Sequence, residues 1–317
     1  MLLIVAPIFL VILVGYSYGR LRPDSGGADQ LINDYVLYIA LPALLFIAVA
    51  RAEVSDLRQW GFMLSSLAGI AVVYITAALM AKILNIGLPQ SSLLSMGACY
   101  GTTGYMGVPI LFSVYGESAV LPAALATILH NIPAMMAVII SWDIGSTRAR
   151  PGGTPLLHSV GRAAAATIKN PLTLAVLAGL VFAVFDIHLP PFLEVFARFL
   201  GNAAGPTALF ALGLGLARLR VTQHLNIATG KIVLPMVVLK LLIQPIITGA
   251  TAVYIFNMGQ GVWLAAAIVM AAQPIGAGVY VFAKKYHYQQ AVISLAIIIS
   301  LLLGLVTIPL VLNLVAV

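Results

Sequence analysis

The stretch Gly97-Ala98-Cys99-Tyr100-Gly101-Thr102-Thr103-Gly104-Tyr105-Met106-Gly107-Val108-Pro109 is too apolar for a surface loop and too rich in glycine for an ordinary helix. A second stretch of the same kind follows much later: Ala271-Ala272-Gln273-Pro274-Ile275-Gly276-Ala277-Gly278-Val279-Tyr280. Each lies inside a longer apolar run. Proline removes a backbone donor and clashes with the carbonyl four residues back, and clustered glycines make departure from the helix easier. In hydrocarbon every unpaired backbone group is costly, so such breaks persist only inside protein or beside a wet cavity. Two interrupted helices in apolar surroundings therefore point to an all-α polytopic membrane protein whose chemistry lies at the breaks.

Composition agrees. The chain has 317 residues, 62% hydrophobic and only 8% charged, with a mean hydropathy of +1.08. A soluble domain carries about 25% charged residues. An ordinary cytosolic enzyme, a nucleic-acid binder and a disordered chain are thereby excluded. About 20 apolar residues cross a hydrocarbon core of roughly 30 Å. Apolar runs near 2–19, 31–50, 60–84, 91–115, 119–142, 168–187, 192–217, 230–256, 260–283 and 288–315 predict ten transmembrane helices. Cys99 is the single cysteine, which forbids an internal disulfide. The sequence has no pair of intramembrane aspartates, no His-Glu-x-x-His zinc motif and no phosphate-binding loop, so no enzymatic chemistry is expected.

The net charge of +7 is explained by its placement. Loops after odd-numbered runs hold Arg20, Arg22, Lys82, Arg148, Arg150, Arg162, Lys169, Arg218, Arg220, Lys231, Lys284 and Lys285. The opposite loops hold only Arg51 and Arg58. This bias places the basic side in the cytoplasm and both termini outside it. The first run has no basic n-region and no small-residue cleavage site, and it is followed by Arg20 and Arg22, so it reads as a retained span. Tyr16, Tyr18, Trp60, Trp142 and Trp263 fall near run ends, as interfacial aromatics do.

Internal repetition is visible in the prolines. Pro7 and Pro171 are 164 positions apart, as are Pro42 and Pro206, while Pro109 and Pro274 are 165 apart. The sequence predicts a first five-helix repeat over 1–142, a cytoplasmic linker loop over 143–167 containing Pro151, Gly152, Gly153 and Pro155, and a second repeat over 168–317. Five spans per half make the repeats inverted, an arrangement shared by many secondary transporters that carry substrate sites at broken helices. Free amides at half-helix N-termini suit an anion, and unwound carbonyls suit a cation. The alternative reading is that the glycines permit close packing and the prolines only kink; its recurrence in both halves favours a site.

These residues resemble the auxin efflux carrier family, which includes bacterial malonate carriers. The resemblance rests on Gly104-Tyr105-Met106-Gly107-Val108-Pro109, on Pro274-Ile275-Gly276-Ala277-Gly278-Val279-Tyr280-Val281-Phe282-Ala283, and on Asn33 to Phe46 with its Leu41-Pro42. It implies a 5+5 inverted fold of the sodium/proton antiporter type, with the fourth and ninth spans crossing at their prolines. It further implies a secondary active transporter that moves a small organic anion, such as malonate or an auxin-like acid, across the plasma membrane by alternating access. The implied substrate-binding residues are Thr102, Thr103, Tyr105, Gly107, Val108, Pro109, Gln273, Pro274, Ile275, Gly276, Ala277 and Gly278. The sequence departs from the family pattern at Thr102 and Gly278, where the family usually has asparagine. Rival readings are a ligand-gated channel, a non-transporting membrane sensor, and a bile-acid-type sodium symporter, for whose acidic sodium ligands no clear candidates exist here. No cofactor is expected, proton or sodium coupling is open, and the expected partners are the organic anion and the lipid bilayer, with homodimerisation also open.

Three ionisable residues complete the candidate set. Lys240 lies nine residues beyond Lys231, about 13 Å into its span at 1.5 Å per residue. It can supply fixed positive charge to a substrate anion, be satisfied by carbonyls of a broken neighbour, or be neutralised by burial. His130, beside Asn131 and Pro133, is either a titrating group or a packed histidine. Asp34 starts the second run with Asn33, where helix capping explains both, and is otherwise a proton-coupling candidate. Glu194 and Arg198 are four apart and read as a helix ion pair. Cysteine accessibility in a Cys99-free background tests the orientation: residues introduced at 143–169 should be labelled from the cytoplasmic side only, and labelling from outside would overturn the orientation.

Overall fold

The computed structural model describes residues 2–22, 27–147, 156–218 and 227–315. Among them the chain is helical, with no strand beyond an isolated antiparallel bridge between Gly101 and Ile275. In chain order the helices are α1 (Leu2–Leu21), α2 (Ala28–Tyr35), α3 (Leu41–Ala50), α4 (Trp60–Ile83), α5 (Gln90–Cys99), α6 (Val108–Tyr115), α7 (Val120–Thr147) and α8 (Leu156–Ile168). They continue as α9 (Pro171–Val184), α10 (Pro191–Arg218), α11 (Ile227–Val238), α12 (Gln244–Ala250), α13 (Val262–Ala271), α14 (Gly278–Lys285) and α15 (Gln290–Val315). Six described stretches are long and apolar enough to cross a membrane, or seven if the consecutive pair Leu157–Ile168 and Pro171–Val184 forms one span. Ala6–Leu21 and Val262–Ala271 are shorter apolar helices.

Proline sets much of the local geometry. Widened π turns cover Val36–Ala40, Thr103–Gly107 and Leu239–Ile243, and each leads directly into a helix whose first turn holds a proline: Pro42, Pro109 and Pro245. A wider turn relieves the clash between the proline ring and the carbonyl four residues back, and the missing N–H is not needed there. Pro171 instead opens α9 after Asn170, whose side-chain oxygen accepts the Leu172 N–H at 2.9 Å. That is an ordinary N-cap followed by a first-turn proline.

Two sequence expectations differ from the structure. Asn33 and Asp34 sit in the last turn of α2, which begins at Ala28, so neither caps that helix, and Asp34 is exposed. The stretch expected as a linker loop over 143–167 begins inside α7 and ends in α8; only 148–155, with Arg148, Arg150 and the Pro/Gly cluster, lie outside the described residues. The α8 helix forms because Ser159, Ala163 and Thr167 share one buried face at four-residue spacing, and Arg162 pairs with Asp143 of α7. Arg220 also lies outside the described residues.

The chain divides into two compact units, and neither matches a sequence half. One comprises Met1–Trp60, Thr103–Ile128 and Lys169–Leu219, and the other Gly61–Thr102, Leu129–Ile168 and Arg220–Val317. In the first, α1 packs on α10 through Gly15 and Gly213, where an added Cβ would strike the carbonyls of Phe210 and Ile12 respectively. The α3–α9 pair closes on Gly179, and Phe46 meets Phe182 edge-on with centroids 5.3 Å apart. In the second, Leu93 and Met96 of α5, Val279 of α14, and Ile293 and Ala296 of α15 form one buried cluster. Trp142 stacks on Tyr286 at 4.0 Å, and Trp263 meets Phe62 edge-on at 5.1 Å. Burial first, and the neighbouring Asp143 charge second, push the Tyr286 phenol up to about 12, so it stays neutral.

Gly213→Leu drives a side chain into the α1 backbone. Overpacking of this kind costs about 1–3 kcal/mol or more. The melting temperature in detergent should fall clearly, whereas Gly215→Leu, whose Cβ meets nothing within 4 Å, should leave it near wild type.

Candidate functional site

The centre of the second unit is a pair of helix interruptions that satisfy one another. α5 stops at Cys99, and Tyr100 turns to an extended conformation with φ −85° and ψ 113°. α13 stops at Ala271, and Pro274 keeps the following residues out of the helix, because it lacks an N–H and pushes Gln273 away from helical geometry. The Thr102 N–H donates to the Pro274 carbonyl at 2.9 Å, and the Gly276 N–H donates to the Tyr100 carbonyl at 3.0 Å. These two bonds make the Gly101–Ile275 bridge. The Ile275 N–H donates to Ser300 Oγ at 3.0 Å, while the Ser300 hydroxyl donates to the Ile297 carbonyl at 2.9 Å. Groups released by the two breaks are thus largely paired within this unit.

Glycine is required here by close approach. A Cβ at Gly276 or Gly278 would lie 2.7–2.8 Å from atoms of the Tyr100 ring, and one at Gly304 would lie 2.8 Å from Pro274 Cγ. At Gly278, Tyr100 fills the space that a side chain would enter.

Lys240 belongs to the same centre. It is fully buried and Nζ donates to the Ala271 carbonyl at 2.5 Å. Ala271 is the last residue of α13, so this carbonyl is one that its own helix leaves unpaired. The ammonium also flanks Gly101, where an added Cβ would lie 3.2 Å from Nζ, two residues past the end of α5. A positive charge thus lies beside the C-terminal ends of two half-helices, each carrying about half a negative charge. Among the described residues no carboxylate pairs with it. On the same face, Gln244 and Thr248 are also fully buried, and their side-chain polar atoms have no hydrogen-bond partner among the described residues. The same holds for both ring nitrogens of His130 and for Gln273 Oε1, whereas Gln273 Nε2 donates to the Val269 carbonyl at 2.9 Å.

Thr103, Tyr105, Gly107, Val108 and Pro109 fall in the first unit. Pro109 does not break the fourth span: the interruption is at Tyr100–Thr102, and Pro109 occupies the first turn of α6 against Gly205. It lines a cavity of about 790 Å³ in that unit, together with Pro7, Leu44, Phe112, Asn202 and Gly205, and with Arg51, Arg198 and Glu117. Glu194 accepts from both arginines at 3.2 Å, so the expected Glu194–Arg198 pair is present and Arg51 joins it.

Of the residues that the sequence singles out, the fold brings together Thr102, Gln273–Gly278 and Lys240 in the second unit, and it adds Tyr100, Ser300 and Gln244, which the sequence reading does not name as site residues. Only Gln244 carried a signal, as an amide four residues after an intramembrane lysine.

Paired interrupted helices in an apolar, all-helical chain define a polytopic membrane protein of the transporter class. The sequence pattern of the family described as "Membrane transport protein" matches residues 2–150 and 156–312. The chain belongs to this family, that of the auxin efflux carriers. It is 30% identical over 318 residues to a putative malonate transporter of Rhizobium meliloti (strain 1021), covering 96% of this chain and 92% of that one. It is 34% identical over 143 residues to auxin efflux carrier component 2 of Oryza sativa subsp. japonica, covering 44% of this chain and 22% of that one. A lysosomal cholesterol signaling protein of Mus musculus is 24% identical over 309 residues, and the match spans 92% of this chain but only 35% of the mouse protein. The family and the transporter names of these relatives are those of transport proteins, not enzymes.

Ser300→Ala removes the acceptor for a buried amide. Leaving such a donor unpaired costs about 1–3 kcal/mol. Thermal stability should drop, while Ser294→Ala on the same helix, whose hydroxyl donates only to its own Gln290 carbonyl, should be mild.

Proposed function

We propose that the protein is a secondary active carrier of a small organic anion, a carboxylate such as malonate or an auxin-like acid, working by alternating access in the plasma membrane. The observation that carries this reading is the mutual pairing of two helix breaks. It gives a structured, non-helical patch of backbone inside an apolar unit. α14 starts at Gly278 after Ala277; the Val279 and Tyr280 N–H groups donate to the Gly276 and Ala277 carbonyls at 3.1 and 3.0 Å, so what this end offers an anion is the helix dipole. A carboxylate at that terminus meets a positive dipole end. Lys240 offsets the negative ends of α5 and α13 nearby, so the local field favours an anion.

In this reading Thr102, Gln273, Pro274, Ile275, Gly276, Ala277 and Gly278 form the substrate wall in the second unit, while Thr103, Tyr105, Gly107, Val108 and Pro109, which the family resemblance also implies, lie in the first unit. The two breaks are then the crossover of the fourth and ninth spans in a ten-helix, 5+5 inverted fold, with both termini extracytoplasmic. Lys240 acts on the anion through the field at the break, and its direct hydrogen bond holds α13. The cycle requires no cofactor. Asp34 and His130 are the weaker candidates for proton coupling: the first is exposed, the second buried.

A second reading, a sensor that binds without transporting, is favoured by one observation: a relative spanning nearly the whole chain is named for signalling.

Uptake of labelled malonate into proteoliposomes tests the carrier reading. Pro274→Ala should lower initial uptake at least about tenfold, because misplaced binding groups lose rate steeply. Pro109→Ala should be milder, since a first-turn proline does not make the break, and Pro171→Ala should resemble wild type. Wild-type-like uptake by Pro274→Ala, with folding unchanged, would place the site elsewhere.

A further inference from the structure

An unwound pair of helix ends in a membrane protein gathers carbonyl oxygens, and such a gathering attracts a cation. In this chain the cation is part of the sequence. Lys240 is fully buried, its Nζ bonds the last carbonyl of α13, and the ammonium lies against Gly101 just past the end of α5. No carboxylate pairs with it among the described residues, so its charge is balanced by carbonyl dipoles. A buried ammonium persists only where hydrogen bonds and charge replace its lost water. The titratable side chains Cys99 of α5 and His130 of α7 are both fully buried, and neither is a carboxylate. Among the described residues no group of three or more His, Cys, Asp or Glu could hold a metal.

We infer that the Lys240 ammonium is a tethered substitute for an inorganic cation at the paired breaks, and that the protein accordingly needs neither sodium nor potassium to form its site. This goes beyond the carrier reading, which leaves the coupling ion open, and it holds whether the chain transports or only senses. It also specifies what appears when the tether is cut. Removing the side chain leaves the Ala271 carbonyl without its partner; a monovalent cation that replaces the ammonium would draw its further oxygens from the Gln273 and Gln244 amides, whose Oε1 atoms bond nothing, Lys240 Nζ included, in the present arrangement. Gln273 Cβ lies 3.3 Å from where a Cβ on Gly101 would be, and Gln244 is one turn along the Lys240 face. Both amides are fully buried, so the cation would be dehydrated and held by uncharged oxygens.

The test compares melting temperatures of detergent-purified wild type, Lys240→Ala, Lys240→Met and Lys240→Arg in sodium chloride, potassium chloride and choline chloride at equal ionic strength. A ligand that binds the folded state raises apparent stability and saturates. The wild type should melt at the same temperature in all three salts, and Lys240→Arg should share that indifference. Lys240→Ala should melt lower in choline and recover part of the loss saturably in sodium or potassium. Lys240→Met, which fills the space without charge, should be destabilised and should not recover. A saturable rise of the wild type with sodium or potassium over choline would overturn the inference, and so would a Lys240→Ala protein that is as stable as wild type or indifferent to the cation. If Lys240→Ala does not fold, Lys240→Gln takes its place, and the wild-type comparison already decides whether an inorganic cation is needed. Because melting is read without substrate, these outcomes are independent of whether malonate is carried.

Discussion

Backbone groups that leave a helix inside an apolar interior must find partners, and the structure depends on how two interrupted helices meet that demand. Thr102 pairs with Pro274 and Gly276 with Tyr100, which joins the breaks to each other. Ser300 takes the Ile275 amide from α15, and Lys240 takes the Ala271 carbonyl from the eighth apolar run. Four separate segments of the chain converge on a few residues, so the second unit is organised around its least regular part. The glycines at 276, 278 and 304 follow from this, because Tyr100 and Pro274 approach too closely for a Cβ.

The same constraint links stability to function. A buried amide without a partner is costly, so the partners of the breaks are structural residues even though they adjoin the proposed anion site. Tyr100 is the clearest example. Its carbonyl secures Gly276, and its ring fills the space beside Gly278. Any exchange of specificity at 278 therefore has to accommodate position 100 as well.

How much of this the sequence disclosed depends on whether a feature is local. The break at Pro274 was legible because proline acts on its own backbone. The break at Tyr100–Thr102 was placed too late, at Pro109, because a proline in a first helical turn looks in sequence like one that interrupts. The extended state of Tyr100 is imposed by pairing with residues 274–276, a tertiary effect that no local pattern carries. Lys240 stood out by its depth, but its acceptor, 31 positions away, did not. Asp34 was misread because α2 begins earlier, at Ala28, behind a polar run. The helix Leu156–Ile168 was hidden by the Pro/Gly cluster before it, although Ser159, Ala163 and Thr167 already had helical spacing. Proline pairs at a constant offset also conceal different local roles: Pro42 follows a π turn, while Pro206 lies inside the continuous α10.

The central claim is that the paired breaks serve a carrier that exposes one anion site to each side in turn. Counterflow tests it most directly. Proteoliposomes preloaded with unlabelled malonate and diluted into a trace of labelled malonate should accumulate label transiently above its external concentration, faster than unloaded vesicles, because the return step carries substrate. Uptake without acceleration by internal malonate would mean a pore, binding without any uptake would mean a sensor, and either result would contradict the account.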